Sequence, residues 1–86
     1  GPVDVLYQDV AQRDQVGIFL KNAEWLRPHS VGYLMVKARS EDVTANPAQV
    51  YDDSKAELSA AGLSVLDFRT LSPYQEDHAA VVVQKP

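Results

Sequence analysis

The sequence predicts an α/β fold in the order β-α-β-α-β-β, a mostly parallel four-stranded sheet with an antiparallel last strand and two helices. Three observations carry this expectation. Apolar residues recur at helical spacing in two segments, one over Arg13–Leu26 and one opening at Asn46-Pro47. Short apolar runs rich in β-branched and aromatic residues alternate with them. The connection between the last two runs is too short for a parallel crossover, so the final strand turns back on the third.

Each element follows from its residues. Val3–Gln8 reads as a first strand and hands over to Asp9. In Arg13–Leu26, Val16, Phe19, Leu20, Ala23 and Leu26 share one face, and Asp14 suits the helix start. Gly17 weakens this helix. Pro28 is expected to end it, with His29-Ser30 as the turn. Val31–Ala38 is a second strand that delivers Lys37, and then Arg39, to a polar loop over Arg39–Ala45. Asn46 and Pro47 are an N-cap and a first-turn proline. Val50, Tyr51, Ser54, Leu58 and Ala61 line the inner face, and Gly62 stands where a helix-terminating glycine belongs. Leu63–Leu71 is a third strand, with Leu63, Val65 and Asp67 on one side and Leu66 and Phe68 on the other. A turn over Ser72–Asp77 leads into His78–Gln84, in which Ala79–Val83 is apolar enough for burial on both faces.

The bulk properties narrow the function. The 86 residues allow one domain, residues 3–86, with Gly1-Pro2 resembling the scar of a cleaved tag. There is no cysteine, so disulfides and thiolate metal sites are excluded. His29 and His78 show no metal-ligand spacing, and no metal is expected. A net charge of −4 argues against a free-standing nucleic-acid binder. No apolar run approaches the roughly 20 residues needed to span a membrane, and no signal peptide is visible.

Two right-handed crossovers that progress in one direction place both helices on one face of the sheet. The other face is then bare, although the first, second and fourth strands read as buried on both sides. The expectation is a homo-oligomer, a dimer through that face or through the exposed edge carrying Val3, Val5 and Tyr7.

The same topology brings Asp9, Lys37 and His78 to one end of the sheet. Ligands of open α/β sheets bind beyond the carboxyl ends of the strands. An antiparallel fourth strand begins where the second one ends. Asp9, Lys37 and His78 are therefore the candidate catalytic residues, with Lys37 as a base tuned by burial and a neighbouring charge. The ordinary alternative is that Asp9 caps the following helix, Lys37 is a solvated strand end and His78 a half-buried one.

Three motifs stand in order: DVAQ-x-x-Q over Asp9–Gln15, KARS-x-DVT over Lys37–Thr44 and PY-x-x-DHA over Pro73–Ala79. Together, over Val3 to Lys85, they resemble the second half of the catalytic domain of fibrillarin, the RNA 2′-O-methyltransferase of box C/D guide ribonucleoproteins. The resemblance implies the fourth to seventh strands of a Rossmann-like methyltransferase fold, that is, half of it. It implies S-adenosylmethionine as cofactor of the parent family, with catalytic roles at Asp9, Lys37 and His78. Asp9 and Gln12 would lie by the cofactor. Lys37 would take the proton of a ribose 2′-hydroxyl, Asp9 would orient it and His78 would support the site. It further implies box C/D guide RNA, a Nop-domain scaffold protein and a kink-turn-binding protein as partners, roles in rRNA processing, and the cytoplasm of an archaeon; the acidic composition resembles versions from salt-loving archaea.

The departures matter equally. No G-x-G-x-x-G-type cofactor loop occurs in the chain. His29-Ser30 replaces a usual glycine pair, Arg13 a usual proline, Glu41 an apolar residue and Trp25 a common phenylalanine. The expectation is a methyltransferase fragment, inactive alone and binding no cofactor by itself. The alternative is an engineered or selected half-Rossmann folding and self-association module without enzymatic activity.

Overall fold

A computed structural model describes residues 2–9, 13–41, 46–71 and 77–86. Its elements are β1 (Val3–Gln8), α1 (Gln15–Ala23), β2 (Leu26–Lys37), α2 (Ala38–Glu41), α3 (Pro47–Ala60), β3 (Ser64–Thr70) and β4 (His78–Gln84). The sheet order is β1-β2-β4-β3. β1 and β2 pair in parallel, and β4 pairs antiparallel with both β2 and β3. β1, β2 and β3 therefore run the same way, with β4 reversed and inserted between β2 and β3. The expected fold class holds, as a mixed sheet.

Strand alternation decides which side chains are covered. Leu34 and Val36 of β2 and Ala79, Val81 and Val83 of β4 are fully buried. They form one core with Val16, Phe19 and Ala23 of α1 and Val50, Tyr51 and Leu58 of α3. Both helices thus lie on one face, as expected. The opposite face is open in the single chain. Val5, Tyr7 and Tyr33 are 60%, 63% and 42% exposed, which corrects the expectation that β1 and β2 are buried on both sides. Half of the alternating apolar residues face the helices, and the other half find no layer within these residues.

Close approach explains two glycines. A Cβ on Gly32 would meet Cζ of Phe19 at 2.6 Å, so glycine lets α1 seat its phenylalanine against β2. A Cβ at Gly17 would displace the exposed carboxylate of Asp14, which caps α1 by accepting a hydrogen bond from the Gly17 N–H. Gly17 serves the cap rather than simply weakening the helix.

Several details differ from the sequence reading. α1 stops at Ala23, not at Pro28, since Leu26 is already paired with Val3 in the sheet, and Lys85 from far along the chain donates from Nζ to the carbonyls of Ala23 and Glu24 at 3.1 and 3.3 Å. A cation on the last carbonyls satisfies a helix C-terminus. β2 then begins early, at Leu26, paired with Val3, and carries extra residues before Val5 pairs with Val31. Pro28 is accommodated in this irregular stretch, where no ladder donor is required of it, and His29 takes a positive φ of 68°. The polar loop after β2 begins with the short helix α2. In β3 an extra residue between Val65 and Asp67 changes the phase. Val65 and Phe68 therefore pack on the same core, and Asp67 does not share the side of Val65. The second helix opens as expected, with Asn46 accepting from the Ala48 N–H at 2.9 Å. Gly62 follows it at φ 94°. The turn over Ser72–Asp77 lies outside the described residues except for Asp77.

Candidate active site

Asp9 follows the last residue of β1, Lys37 is the last residue of β2 and His78 the first of β4. Because β1 and β2 are parallel, Asp9 and Lys37 emerge at the same edge. Nζ of Lys37 lies 2.7 Å from Oδ1 of Asp9. Their side chains are 26% and 42% exposed, so water screens the pair and its worth to stability is small, about 0–1 kcal/mol. Its significance is geometric. Lys37 and His78 are direct cross-strand partners, which places their Cβ atoms about 4.5–5.5 Å apart. By alternation both belong to the open side of the sheet.

His78 is half-buried, and its Nδ1 is inaccessible with no hydrogen-bond partner among the described residues. A buried polar atom left unpaired is costly and often marks a functional position. The residue before it, Asp77, has a positive φ of 61°. Its carbonyl accepts from the Ala38 N–H at 2.9 Å, and its carboxylate accepts from Arg39 Nε at 2.6 Å. The start of β4 is thereby tied to the end of β2. Burial, and after it the charge of Asp77, raise the hydroxyl of Tyr51 above its ordinary value.

Beneath Lys37 sits Gln15, the fully buried first residue of α1. Its Nε2 donates to the Lys37 carbonyl and its Oε1 accepts from the Lys37 N–H, both at 2.8 Å. One amide thus completes both backbone bonds of the strand's last residue, as a neighbouring strand would. Gln8, 5% exposed, donates from Nε2 to the Gln15 carbonyl at 2.8 Å.

The structure brings Asp9, Lys37 and His78 to one edge, as the strand-end reasoning expects. It removes part of the ordinary alternative, since the cap of α1 is Asp14 and not Asp9, and Lys37 is paired rather than solvated. Gln12, the other expected cofactor residue, lies outside the described residues. Gln15, Gln8 and Asp77 carry no role in the sequence reading. For Gln15 the signal was a polar residue one position before the apolar stripe of a helix, inside a motif already noted. Among the described residues no group of three or more His, Asp or Glu side chains could hold a metal ion. The arrangement places an ammonium, a carboxylate and an imidazole side by side at one edge of the sheet.

Comparison with known proteins yields one family. A family model described as Fibrillarin matches residues 1–86. The chain is similar to the fibrillarin-like rRNA/tRNA 2′-O-methyltransferase of Methanocaldococcus jannaschii, with 41% identity over 81 residues, 93% of this chain and 35% of that protein. The corresponding Methanopyrus kandleri protein is 42% identical over 83 residues, 95% of this chain and 36% of that one. Among solved structures, the Methanococcus jannaschii fibrillarin pre-rRNA processing protein superposes with a TM-score of 0.93 at 39% identity, covering 98% of this chain and 37% of the other. Fibrillarin from a fibrillarin/Nop5p complex gives 0.91 at 34% identity, covering 98% and 40%. Aeropyrum pernix fibrillarin with natively bound S-adenosyl-L-methionine gives 0.77 at 40% identity, covering 95% and 36%. The chain spans about a third of the length of the relatives it matches.

Proposed function

The chain belongs to the fibrillarin family, and from that premise we propose that it carries the acid–base edge of an S-adenosylmethionine-dependent RNA 2′-O-methyltransferase. The observation that supports this most directly is the 2.7 Å contact of Lys37 with Asp9 at adjacent strand ends, with His78 in register beside it. In this reading Nζ of Lys37 takes the proton of a ribose 2′-hydroxyl. Asp9 holds the Lys37 head group at the sheet edge. His78, in register with Lys37 on the neighbouring strand, would support the site. The Asp9 carboxylate, 42% exposed, is within reach of a ligand at this edge while Oδ1 engages Lys37. Asp9 and Gln12 would hold S-adenosylmethionine, which when bound supplies the methyl group. Guide RNA and the protein partners of the family belong to the same reading.

The 86 residues contain no G-x-G-x-x-G-type loop, so in this reading the chain alone does not turn over. The test is an NMR titration with S-adenosylmethionine to millimolar concentration, alongside a radiolabelled methyl-transfer assay on RNA. No transfer is expected, and no shift below millimolar cofactor. Shifts at millimolar cofactor centred away from the edge of Asp9, Lys37 and His78 would remove the site, and methyl transfer by the chain alone would overturn its inactivity.

A second reading concerns association. Val5, Tyr7, Tyr33 and Leu66 are large apolar residues 42–63% exposed, and the β1 edge has no pairing strand among the described residues. This favours self-association through the open face or edge. Light scattering after size exclusion is expected to give a dimer mass. A monomer at high micromolar concentration would contradict it.

A further inference from the structure

We infer that Gln15 is a positioning residue for Lys37, supported from behind by Gln8. Lys37 ends β2, and strand ends fray unless their last backbone groups are satisfied. Here neither group is left to water. Gln15 accepts from the Lys37 N–H and donates to its carbonyl, both at 2.8 Å, through one fully buried side-chain amide. Two bonds to one residue set the position and the rotation of its backbone, and hence the direction in which the side chain leaves. That direction carries Nζ to within 2.7 Å of Asp9. Asp9 follows Gln8 in sequence, and Gln8 donates to the Gln15 carbonyl at 2.8 Å. One relay of amides therefore fixes the ends of both strands that carry the ion pair.

A glutamine here is a costly choice unless it is used. An amide of this size buried without partners costs about 1–3 kcal/mol, and an apolar residue would have continued the inner face of α1. The geometry of Lys37 stands by itself, whereas the value of holding Lys37 to catalysis rests on the reading of Lys37 as proton acceptor.

The test uses the 86-residue chain and neither cofactor nor RNA, so its failure is distinguishable from failure of the methyltransferase reading. Lysines are labelled with an amine reagent under native conditions and scored by mass spectrometry, with exposed Lys21 as the internal reference. In the native chain Lys37 labels more slowly than Lys21. Gln15→Met keeps the length and loses both bonds. It is expected to raise Lys37 labelling relative to Lys21 by about two- to fivefold, the range of a half-exposed ion pair. Gln8→Met, one step removed, raises it less. Circular dichroism and urea midpoints are read on the same samples. Were Gln15 merely structural, the midpoint would fall with Lys37 labelling unchanged in the folded protein. That result in either folded variant overturns the inference, and Gln8→Met decides if Gln15→Met does not fold.

Discussion

Replacing Gly32 by alanine tests how the helix layer holds the candidate site together. The new Cβ would lie 2.6 Å from Cζ of Phe19 and 3.4 Å from Cγ2 of Val83. Carbon atoms in comfortable contact sit about 3.5–4.0 Å apart. Phe19 is fully buried, so its ring has no solvent to swing into. Either the ring leaves its rotamer or α1 lifts from the sheet. Overpacking of this kind costs about 1–3 kcal/mol. With a urea slope of about 1 kcal/mol/M for a small chain, the unfolding midpoint falls by about 1–3 M. The assay is urea unfolding of Gly32→Ala, Phe19→Leu and the double variant, followed by circular dichroism. Phe19→Leu removes the colliding atom at the cost of a small cavity. The double variant is therefore expected to be more stable than the summed single losses predict, by about 1 kcal/mol. Because α1 begins at Gln15, its displacement in Gly32→Ala also speeds exchange of the Lys37 amide. An unchanged midpoint, or strictly additive losses, would refute close approach as the reason for glycine at this position.

Further outcomes follow from single contacts. Burial, then the charge of Asp77, raise the Tyr51 hydroxyl above its ordinary 10.0. The folded chain keeps that proton longer than the unfolded chain, so stability is full below about pH 10 and is lost as pH climbs through the raised value. Tyr51→Phe should flatten this alkaline decline in a plot of urea midpoint against pH. Asn46→Ala removes the acceptor for the Ala48 N–H and is expected to cost about 1 kcal/mol, measured by the same unfolding experiment. Tyr33→Lys places a charge in the middle of the open face. It should shift a dimer toward monomer in light scattering while leaving the unfolding of the monomer within about 0.5 kcal/mol.

Much of the site was legible because its logic is topological. Asp9 follows β1, Lys37 ends β2, and the short last connection brings the start of β4, His78, to the same edge. These facts need only the alternation of apolar runs and helical stripes, and they are local properties of the chain. The three motifs named the family on the same residues, and comparison showed it. The capping by Asn46 and the inner face of Val50, Tyr51 and Leu58 were equally local.

What the tertiary structure alone decided are contacts between residues far apart in sequence. Leu26 pairs with Val3, so the helix ends before the proline that local rules favour, and Lys85 caps its last carbonyls across 62 residues. Leu66 stands at an irregularity that moves Phe68 to the side of Val65, an outcome set by pairing with β4 rather than by period two. Gln15 reads as an ordinary polar helix residue until Lys37, 22 positions on, is laid against it. Sequence by itself determined which elements form, which residues stand at their ends and which family they belong to, because propensity and order act along the chain. Only the packed structure decided where helices stop, which face is open and what holds Lys37 in place, because those depend on partners that sequence distance conceals.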